Sequence, residues 1–287
     1  MKTSTLFDGK KVLSFEIFPP KQPASIDVIY DTVAQLKELE PDFISVTYGA
    51  TGGGARSKTV EIASTVKNIY GIESVAHLPG INLSKSDVLG LLSQFEEQGI
   101  KNILALRGDI NPNIPAKGDF KYASDLIAFI KEQGDFNIIG ACYPEGHVES
   151  GGIIKDIQHL KAKVDAGTDQ LITQLFFDND YFYSFRERAT IAGINTPIQA
   201  GIMPVVNKKQ IERMVDLCGV DLPKKFLTMM ERYQDNPIAM REAGIAYAID
   251  QIVDLITQGV DGIHLYTMNK PDIAYRIYQA INKLLVA

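Results

Sequence analysis

The segment VLSFEIF at residues 12–18 is the first of eight short apolar runs, and the spacing of these runs decides the fold. The other runs are DFISVTY from residue 42, ESVAHL from 73, NILALRG from 102, NIIGACY from 137, QLITQLFF from 170, PIQAGIM from 197 and GIHLYTM from 262. The first six intervals between the starts of these runs lie between 27 and 35 residues, which suits one strand and one helix per interval. Eight such units are what a closed parallel barrel needs.

The segments between the runs read as helices that end in a repeated way. In EEQGIKNILAL, DAGTDQLITQ and ITQGVDGIHLY a helical stretch ends at a glycine, and an apolar run begins a few residues later. Glycine at that place suits the left-handed residue that closes a helix. The three copies therefore indicate repeated junctions between a helix and the following strand.

The last interval is 65 residues long, about twice the others. Residues 207–258 show no strand pattern and contain helical candidates near 208–218, 224–233 and 238–258. The sequence therefore predicts an α/β protein, a (β/α)8 TIM barrel with extra helices between strands 7 and 8. We expect a single barrel domain over residues 1–287. A doubly wound open sheet is the alternative, although that fold normally uses fewer strands.

Composition and charge restrict the partners of the chain. The net charge of −6 and the pI near 5.3 argue against a nucleic-acid partner. No apolar run approaches the ~18 residues of a membrane span, and the start MKTSTLFDGKK has no apolar signal core. Two cysteines cannot build a disulfide framework, and no spacing of His, Cys, Asp and Glu matches a metal site. We expect a cytoplasmic protein that binds small molecules, without a metal and without a membrane.

Polar side chains gather where the apolar runs end, whereas the starts of the runs are apolar. The residues at these ends include Glu16, Thr47, Tyr48, His77, Arg107, Gly108, Asp109, Tyr143, His147, Gln174 and Tyr266. In a (β/α)8 barrel the active site lies at the carboxyl ends of the strands. The glycine-rich segment at residues 49–56 is predicted to be a ligand-lining loop there, with disorder as the alternative.

Glu16 is the most informative single residue, because it stands inside an apolar run. Burying a carboxylate costs several kcal/mol unless the group is paired or protonated. A carboxyl group in such surroundings suits a general acid near neutral pH. The alternative is a structural salt bridge at the rim of the barrel, with Arg107 as the partner.

Eight motifs together resemble a known family. SFEIFPPK, SVTYGA, LALRGD, YASDLI, YPEGH, LKAKVDAGTDQLITQLFFD, GIMPVVNKKQ and HLYTMN occur in this order, from about residue 14 to residue 275. They resemble methylenetetrahydrofolate reductase of the bacterial type that consists of a catalytic barrel. The resemblance implies non-covalent FAD at the strand ends and reduction of 5,10-methylenetetrahydrofolate to 5-methyltetrahydrofolate. It further implies NADH or NADPH as co-substrate, a ping-pong mechanism, and a homo-oligomer as in relatives.

The same resemblance implies roles for individual residues. Glu16 matches the general acid that protonates the folate N10, and Asp109 matches the carboxylate beside flavin and pterin. Gln174 and Gln210 match amides that contact the substrate. The positions that match the flavin site are Thr47, Tyr48, Ala50, His77, Arg107, Gly108, Asp109, Tyr122, Ala123, Tyr143, His147, Asp156, His159 and Lys163.

Four positions depart from well-known relatives. Met214 stands where a phenylalanine covers the substrate, and Lys270 stands where an arginine can meet the folate glutamate. A thioether can still cover a ring face, and lysine keeps the charge but loses the bidentate geometry. His159 and Ala162 replace an asparagine and an arginine near the flavin. We keep Met214 and Lys270 as predicted substrate contacts.

Other functions remain open at this point. The nearest alternative is another FAD-dependent barrel oxidoreductase, similar to proline dehydrogenase, which turnover of proline would identify. A flavin-free, folate-dependent methyltransferase would lack visible flavin absorption. A non-enzymatic binder of folate or flavin would have little reason to bury an acid such as Glu16 at the strand ends.

Overall fold

The computed structural model describes residues 1–20, 25–48, 53–110 and 116–286. Within these ranges eight parallel strands form a closed barrel in chain order, and the last strand pairs with the first. The strands are β1 (Val12–Ile17), β2 (Phe43–Val46), β3 (Glu73–Pro79), β4 (Asn102–Leu106), β5 (Asn137–Cys142), β6 (Gln170–Thr173), β7 (Ile198–Ile202) and β8 (Gly262–Tyr266). The predicted barrel is confirmed, each predicted run contains one strand, and the open-sheet alternative is wrong.

Helices follow the strands and pack around the barrel. They are α1 (Asp27–Lys37), α2 (Gly53–Asn68), α3 (Lys85–Glu97), α4 (Ala123–Gln133), α5 (Ile153–Asp165), α6 (Asn179–Ile191), α7 (Lys208–Cys218), α8 (Lys224–Tyr233), α9 (Pro237–Thr257) and α10 (Pro271–Ile281). The predicted extra helices between strands 7 and 8 are confirmed as α7, α8 and α9. Helix α2 begins at Gly53, inside the segment predicted to be a loop, and residues 49–52 lie outside the described residues. None of the helices in the described ranges is long and apolar enough to cross a membrane.

The outward face of β1 explains why the strands are apolar runs in the sequence. Leu13, Phe15 and Ile17 point outward and are buried in the core between the barrel and its helices. Ser14 and Glu16 alternate with them and point into the barrel, since successive side chains of a strand face opposite sides. An outer face covered by helices requires apolar residues, and this leaves the inner face free to carry polar ones.

The repeated junctions before the strands have a common structure. The three junction glycines have positive φ angles, which are 69° at Gly99, 116° at Gly167 and 73° at Gly259. Two of these glycines are followed by an aspartate just before the strand, and a third aspartate stands at the same place before β2; each accepts a backbone N–H from the start of the preceding strand. The contacts are Asp42 Oδ2 to Leu13 N (2.9 Å), Asp169 Oδ2 to Ile138 N (2.7 Å) and Asp261 Oδ2 to Ile198 N (2.8 Å). Each carboxylate thereby satisfies a backbone donor at the amino end of the barrel.

A short 3₁₀ helix at Thr3–Phe7 fills the amino end of the barrel. The backbone N–H of Thr3 donates to Asn102 Oδ1 at 2.8 Å. Its hydroxyl donates to Gln170 Oε1 at 2.8 Å and accepts from Asn137 Nδ2 at 3.0 Å. These side chains are fully buried, so the segment supplies partners that polar groups on the inner face of the barrel would otherwise lack.

The inserted helices enclose a second apolar core at the carboxyl end of β6 and β7. Phe177, Met203 and Phe226 belong to this cluster. Helix α9 approaches the chain after β7 so closely that a Cβ atom at Gly244 would lie 1.7 Å from the carbonyl oxygen of Val205. The insert is therefore packed onto the end of the barrel where the polar residues gather.

The buried Thr3 bonds lead to a prediction about stability. We expect Thr3→Val to lower the free energy of unfolding by about 1–3 kcal/mol, because it leaves buried side chains of Gln170 and Asn137 unpaired. Thr5→Val is the matched control, because the exposed Thr5 hydroxyl bonds only the nearby Lys2 carbonyl oxygen. Urea denaturation of both variants measures the difference, and equal midpoints would contradict a role of Thr3 in closing the barrel.

Candidate functional site

A cavity of about 1250 Å³ opens at the carboxyl ends of the strands. Its wall includes both predicted catalytic residues, Glu16 and Asp109, and the predicted substrate contact Gln174. It also includes every described position predicted to bind cofactor, namely Thr47, Tyr48, His77, Arg107, Gly108, Asp109, Tyr122, Ala123, Tyr143, His147, Asp156, His159 and Lys163. Ala50 lies outside the described residues. The structure thus brings these side chains to one place, while their roles stay predictions.

Glu16 lies at the bottom of this cavity between two histidines. Its Oε2 atom is 3.5 Å from His77 Nε2 and 3.6 Å from His264 Nε2. His264 is fully buried, and its Nδ1 lies 2.7 Å from Ser14 Oγ. Arg107, the alternative partner considered for Glu16, instead forms an ion pair with Glu149. The carboxyl group of Glu16 therefore faces imidazoles at its base and the cavity above.

The histidine beside Glu16 on β3 is neutral at physiological pH. Burial lowers the pKa of His77 to about 4, although the nearby carboxylate of Glu16 opposes this change. Its Nε2 atom makes no hydrogen bond within the part of the chain that the structure describes. The contact between His77 and Glu16 is therefore not an ion pair near pH 7, although the ring of His77 forms part of the cavity wall.

Two cationic side chains line the opposite part of the wall. The hydrogen bond from Arg107 to the exposed Glu149 raises the pKa of the guanidinium further above its ordinary value. The ammonium group of Lys163 donates to the Ala141 carbonyl oxygen and lies 5.6 Å from the centre of the Tyr143 ring. Burial lowers the pKa of Lys163. These groups give an acidic protein a local site for an anion.

A buried carboxylate adjoins this cationic region. Asp156 is only 6% exposed, and burial raises its pKa, while Lys163 and the backbone N–H of His147 act in the opposite direction. The His147 ring meets the Tyr143 ring edge-on with their centres 4.7 Å apart. Burial, followed by the charge of Arg107, lowers the pKa of His147. The wall therefore combines aromatic rings with donors and acceptors of both charges.

Three of the predicted substrate contacts do not line the cavity. The amide of Gln210 bonds its own loop, accepting from Val206 N at 3.2 Å and donating to Pro204 O at 3.4 Å. Met214 is half-buried against the core of the inserted helices. Lys270 caps the amino end of α10. All three follow the carboxyl ends of β7 and β8, and their roles stay predictions.

Sequence reasoning passed over two neighbours of Glu16. His264 reads as an isolated core residue, and Tyr266 reads only as a strand end, but β8 pairs with β1 so that Ser14 is opposite His264 and Glu16 is opposite Tyr266. The hydroxyl of Tyr266 donates to the Thr173 carbonyl oxygen at 2.7 Å. The sequence does contain a signal for this arrangement. If the barrel is taken as closed, β8 pairs with β1, and the alternation of side chains along the strands then places His264 and Tyr266 beside Glu16.

The wall also contains residues that no motif indicated, among them Pro79, Ile81, Glu149 and Ser150. In the described ranges, no group of three or more His, Cys, Asp or Glu side chains is arranged to hold a metal ion. The cavity therefore offers ring surfaces, cations and single carboxyl groups as its chemistry.

Comparisons with known proteins match one family over almost the whole chain. The family model of methylenetetrahydrofolate reductase matches residues 2–282. The 5,10-methylenetetrahydrofolate reductase of Pectobacterium carotovorum subsp. carotovorum is 37% identical over 269 residues, which cover 94% of this chain and 89% of that protein. The enzyme of the same name from Escherichia coli K12 is 36% identical over 269 residues, which cover 94% of this chain and 90% of that protein.

A solved structure supports the fold alone. A protein of Clostridium thermocellum that binds two copies of 5-methyl-5,6,7,8-tetrahydrofolic acid superposes with a TM-score of 0.64 over the full length of both chains. Its sequence identity to this chain is 13%. At that identity the similarity concerns the barrel and not its ligands.

The neutral state of His77 predicts how stability changes in acid. The pKa of His77 is about 6.5 in the unfolded chain and about 4 in the folded one. As the pH falls, the unfolded chain therefore binds a proton at a higher pH than the folded chain does. His77 alone should therefore cost about 2 kcal/mol of the free energy of unfolding between pH 7 and pH 5.

Urea denaturation of His77→Gln against wild type measures this effect. The variant should lose less stability than wild type between pH 7 and pH 5, whereas His159→Gln, at an exposed histidine, should behave like wild type. The same loss in His77→Gln and in wild type would show that the His77 ring is not held neutral.

Proposed function

The chain belongs to the methylenetetrahydrofolate reductase family, and from this we propose that it reduces 5,10-methylenetetrahydrofolate to 5-methyltetrahydrofolate. The reaction uses FAD as a non-covalent cofactor and NADH or NADPH as the co-substrate. The observation that carries the proposal is Glu16, a carboxyl group at the base of a large cavity with His77 and His264 beside it. A proton donor in a cavity is what the opening of a methylene bridge between two nitrogens requires.

The residues of the cavity fit FAD. Arg107 and Lys163 can neutralise a diphosphate, and the exposed Glu149 can give up its bond to Arg107. The rings of His77 and Tyr143 in the wall offer surface to a flat ring system. A cavity of about 1250 Å³ exceeds the usual range of drug-sized pockets, as a dinucleotide needs. When bound, the flavin supplies the hydride.

The protein's own groups supply the proton chemistry. Glu16 donates a proton to N10 of the folate, which opens the five-membered ring to an iminium cation on N5. The rings of His77 and His264 adjoin the Glu16 carboxyl group at the base of the cavity, at 3.5 Å and 3.6 Å. Asp109 lies exposed at the cavity rim, where its negative charge stabilises the cation.

One cavity serves two substrates in a ping-pong sequence. The nucleotide leaves before folate enters, and Gln174 in the wall contacts the folate. We assign further substrate contacts to Gln210 and Met214 on α7 and to Lys270 at the start of α10. We also propose that residues 1–287 act as a single catalytic barrel domain that assembles into a homo-oligomer.

A visible spectrum of the purified protein tests the proposal directly. A yellow protein should bleach anaerobically with NADH or NADPH and recover its colour when methylenetetrahydrofolate is added. Recovery with a different acceptor but not with this folate would overturn the assignment of substrate. A colourless protein that cannot be loaded with FAD would overturn the assignment of cofactor.

Glu16→Gln separates the two half-reactions. The variant should still be reduced by NAD(P)H but should lose folate reduction by several orders of magnitude, because only the folate step needs an acid. Stopped-flow absorbance of the flavin measures both steps, and the nucleotide step is the internal control. Equal impairment of both steps would show that Glu16 is not the acid.

A further inference from the structure

The connection between α7 and α8 is attached to the loop after β5. The Oε2 atom of Glu145, in that loop, accepts the backbone N–H of Asp221 at 2.7 Å. The hydroxyl of Tyr181 on α6 donates to Asp221 Oδ2 at 2.6 Å. Val148 lies so close to Gly219, which ends α7, that a Cβ atom there would be 2.5 Å from Val148 Cγ1. We call these contacts the α7 joint.

The α7 joint links two parts of the proposed site. The loop after β5 carries Tyr143 and His147, which line the cavity. Helix α7 carries Gln210 and Met214, the proposed folate contacts. Ile211 and Met214 pack α7 into the core of the inserted helices, and the α7 joint adds the contacts between its carboxyl end and the loop that lines the cavity.

We propose that Glu145 is a positioning residue, which docks α7 for folate binding and releases it when its carboxyl group ionises. The proposal rests on the proposed function, because it concerns the affinity of that folate. Glu145 does not line the cavity, so it acts through α7 and not on the substrate.

The surroundings of Glu145 disfavour its charge. Asp221 on the α7–α8 connection and Asp178 before α6 are the carboxylates that face it, together with the Tyr181 hydroxyl. Its Oε1 atom is buried and has no hydrogen-bond partner among the described residues. Burial and these carboxylates raise the pKa of Glu145 to about 7, although the N–H of Asp221 opposes them. Both the missing partner and the like charges favour a protonated carboxyl group in the docked state.

The direction of the pH dependence follows from linkage. A Glu145 released to solvent has an ordinary pKa of about 4.3, so the docked state binds the proton more tightly. Docking of α7 is therefore strongest below the released pKa of about 4.3, and it weakens as the pH rises towards and through 7. Since a ligand's apparent affinity falls with the fraction of competent protein, the KM for folate should rise about threefold to tenfold between pH 6 and pH 8.

Glu145→Gln tests this, because glutamine still accepts the Asp221 N–H but cannot ionise. Its KM for methylenetetrahydrofolate should stay flat between pH 6 and pH 8, while the wild-type KM rises. Glu231 is an exposed glutamate on α8 and serves as the control. Glu231→Gln also removes one negative charge, and its KM for folate should change with pH as in wild type. A flat wild-type profile, or a rise that persists in Glu145→Gln, would overturn the proposal.

Thiol labelling gives a readout that needs no substrate. Cys218, the last residue of α7, is half-buried, whereas the other cysteine, Cys142, is fully buried. At pH 8 a disulfide reagent such as 5,5′-dithiobis(2-nitrobenzoate) should modify Cys218 more slowly in Glu145→Gln than in wild type. Gly219→Ala, which forces Val148 away, should speed the labelling at every pH. Equal rates in all three proteins would overturn the proposal, whatever the outcome of the folate assays.

Discussion

The pairing of β1 with β8 is the constraint on which the site depends. It places Ser14 opposite His264 and Glu16 opposite Tyr266, although some 250 residues separate the partners along the chain. Without this closure, β1 would be an edge strand, and the carboxyl group of Glu16 would face water. With it, the same carboxyl group lies at the base of a cavity between two imidazoles, and only 19% of its side chain stays exposed.

The interior of the barrel has polar side chains at both ends and an apolar layer between them, formed by Val12, Phe43, Val75, Leu104, Ile139 and Ile172. At the amino end, Thr3 forms hydrogen bonds with Asn102, Asn137 and Gln170, and these bonds tie the first residues of the chain to the inside of the barrel. At the carboxyl end, buried nitrogen atoms of His77 and His264 are left without hydrogen bonds among the described residues. The hydrogen bonds at the amino end stabilise the fold, whereas the carboxyl end opens into the cavity, which has space for a ligand.

The strands and the insert were predictable because they depend on local patterns, and part of the cavity wall was predictable from the motifs of the family. Apolar runs at regular spacing encode helix-covered strands. Arg107, at the end of one run, and Lys163, on the helix after the next, belong to the family motifs and reach one cavity. The partners of these residues were not predictable. The pairing of Arg107 with Glu149, the position of His264 beside Glu16, and the docking of Asp221 on Glu145 join distant segments, and no periodicity in the sequence records them.

The bridge from Tyr266 to Thr173 gives the mouth of the barrel an uneven shape. Gly201 on β7 has no side chain, and Tyr266 reaches over it from β8 to the backbone of β6. No residue of β7 belongs to the cavity wall in consequence. A bound molecule therefore meets side chains from six of the eight strands and from the residues after β2, but none from β7. A wall that is missing on one side restricts the orientations of a flat ring more than an even wall would.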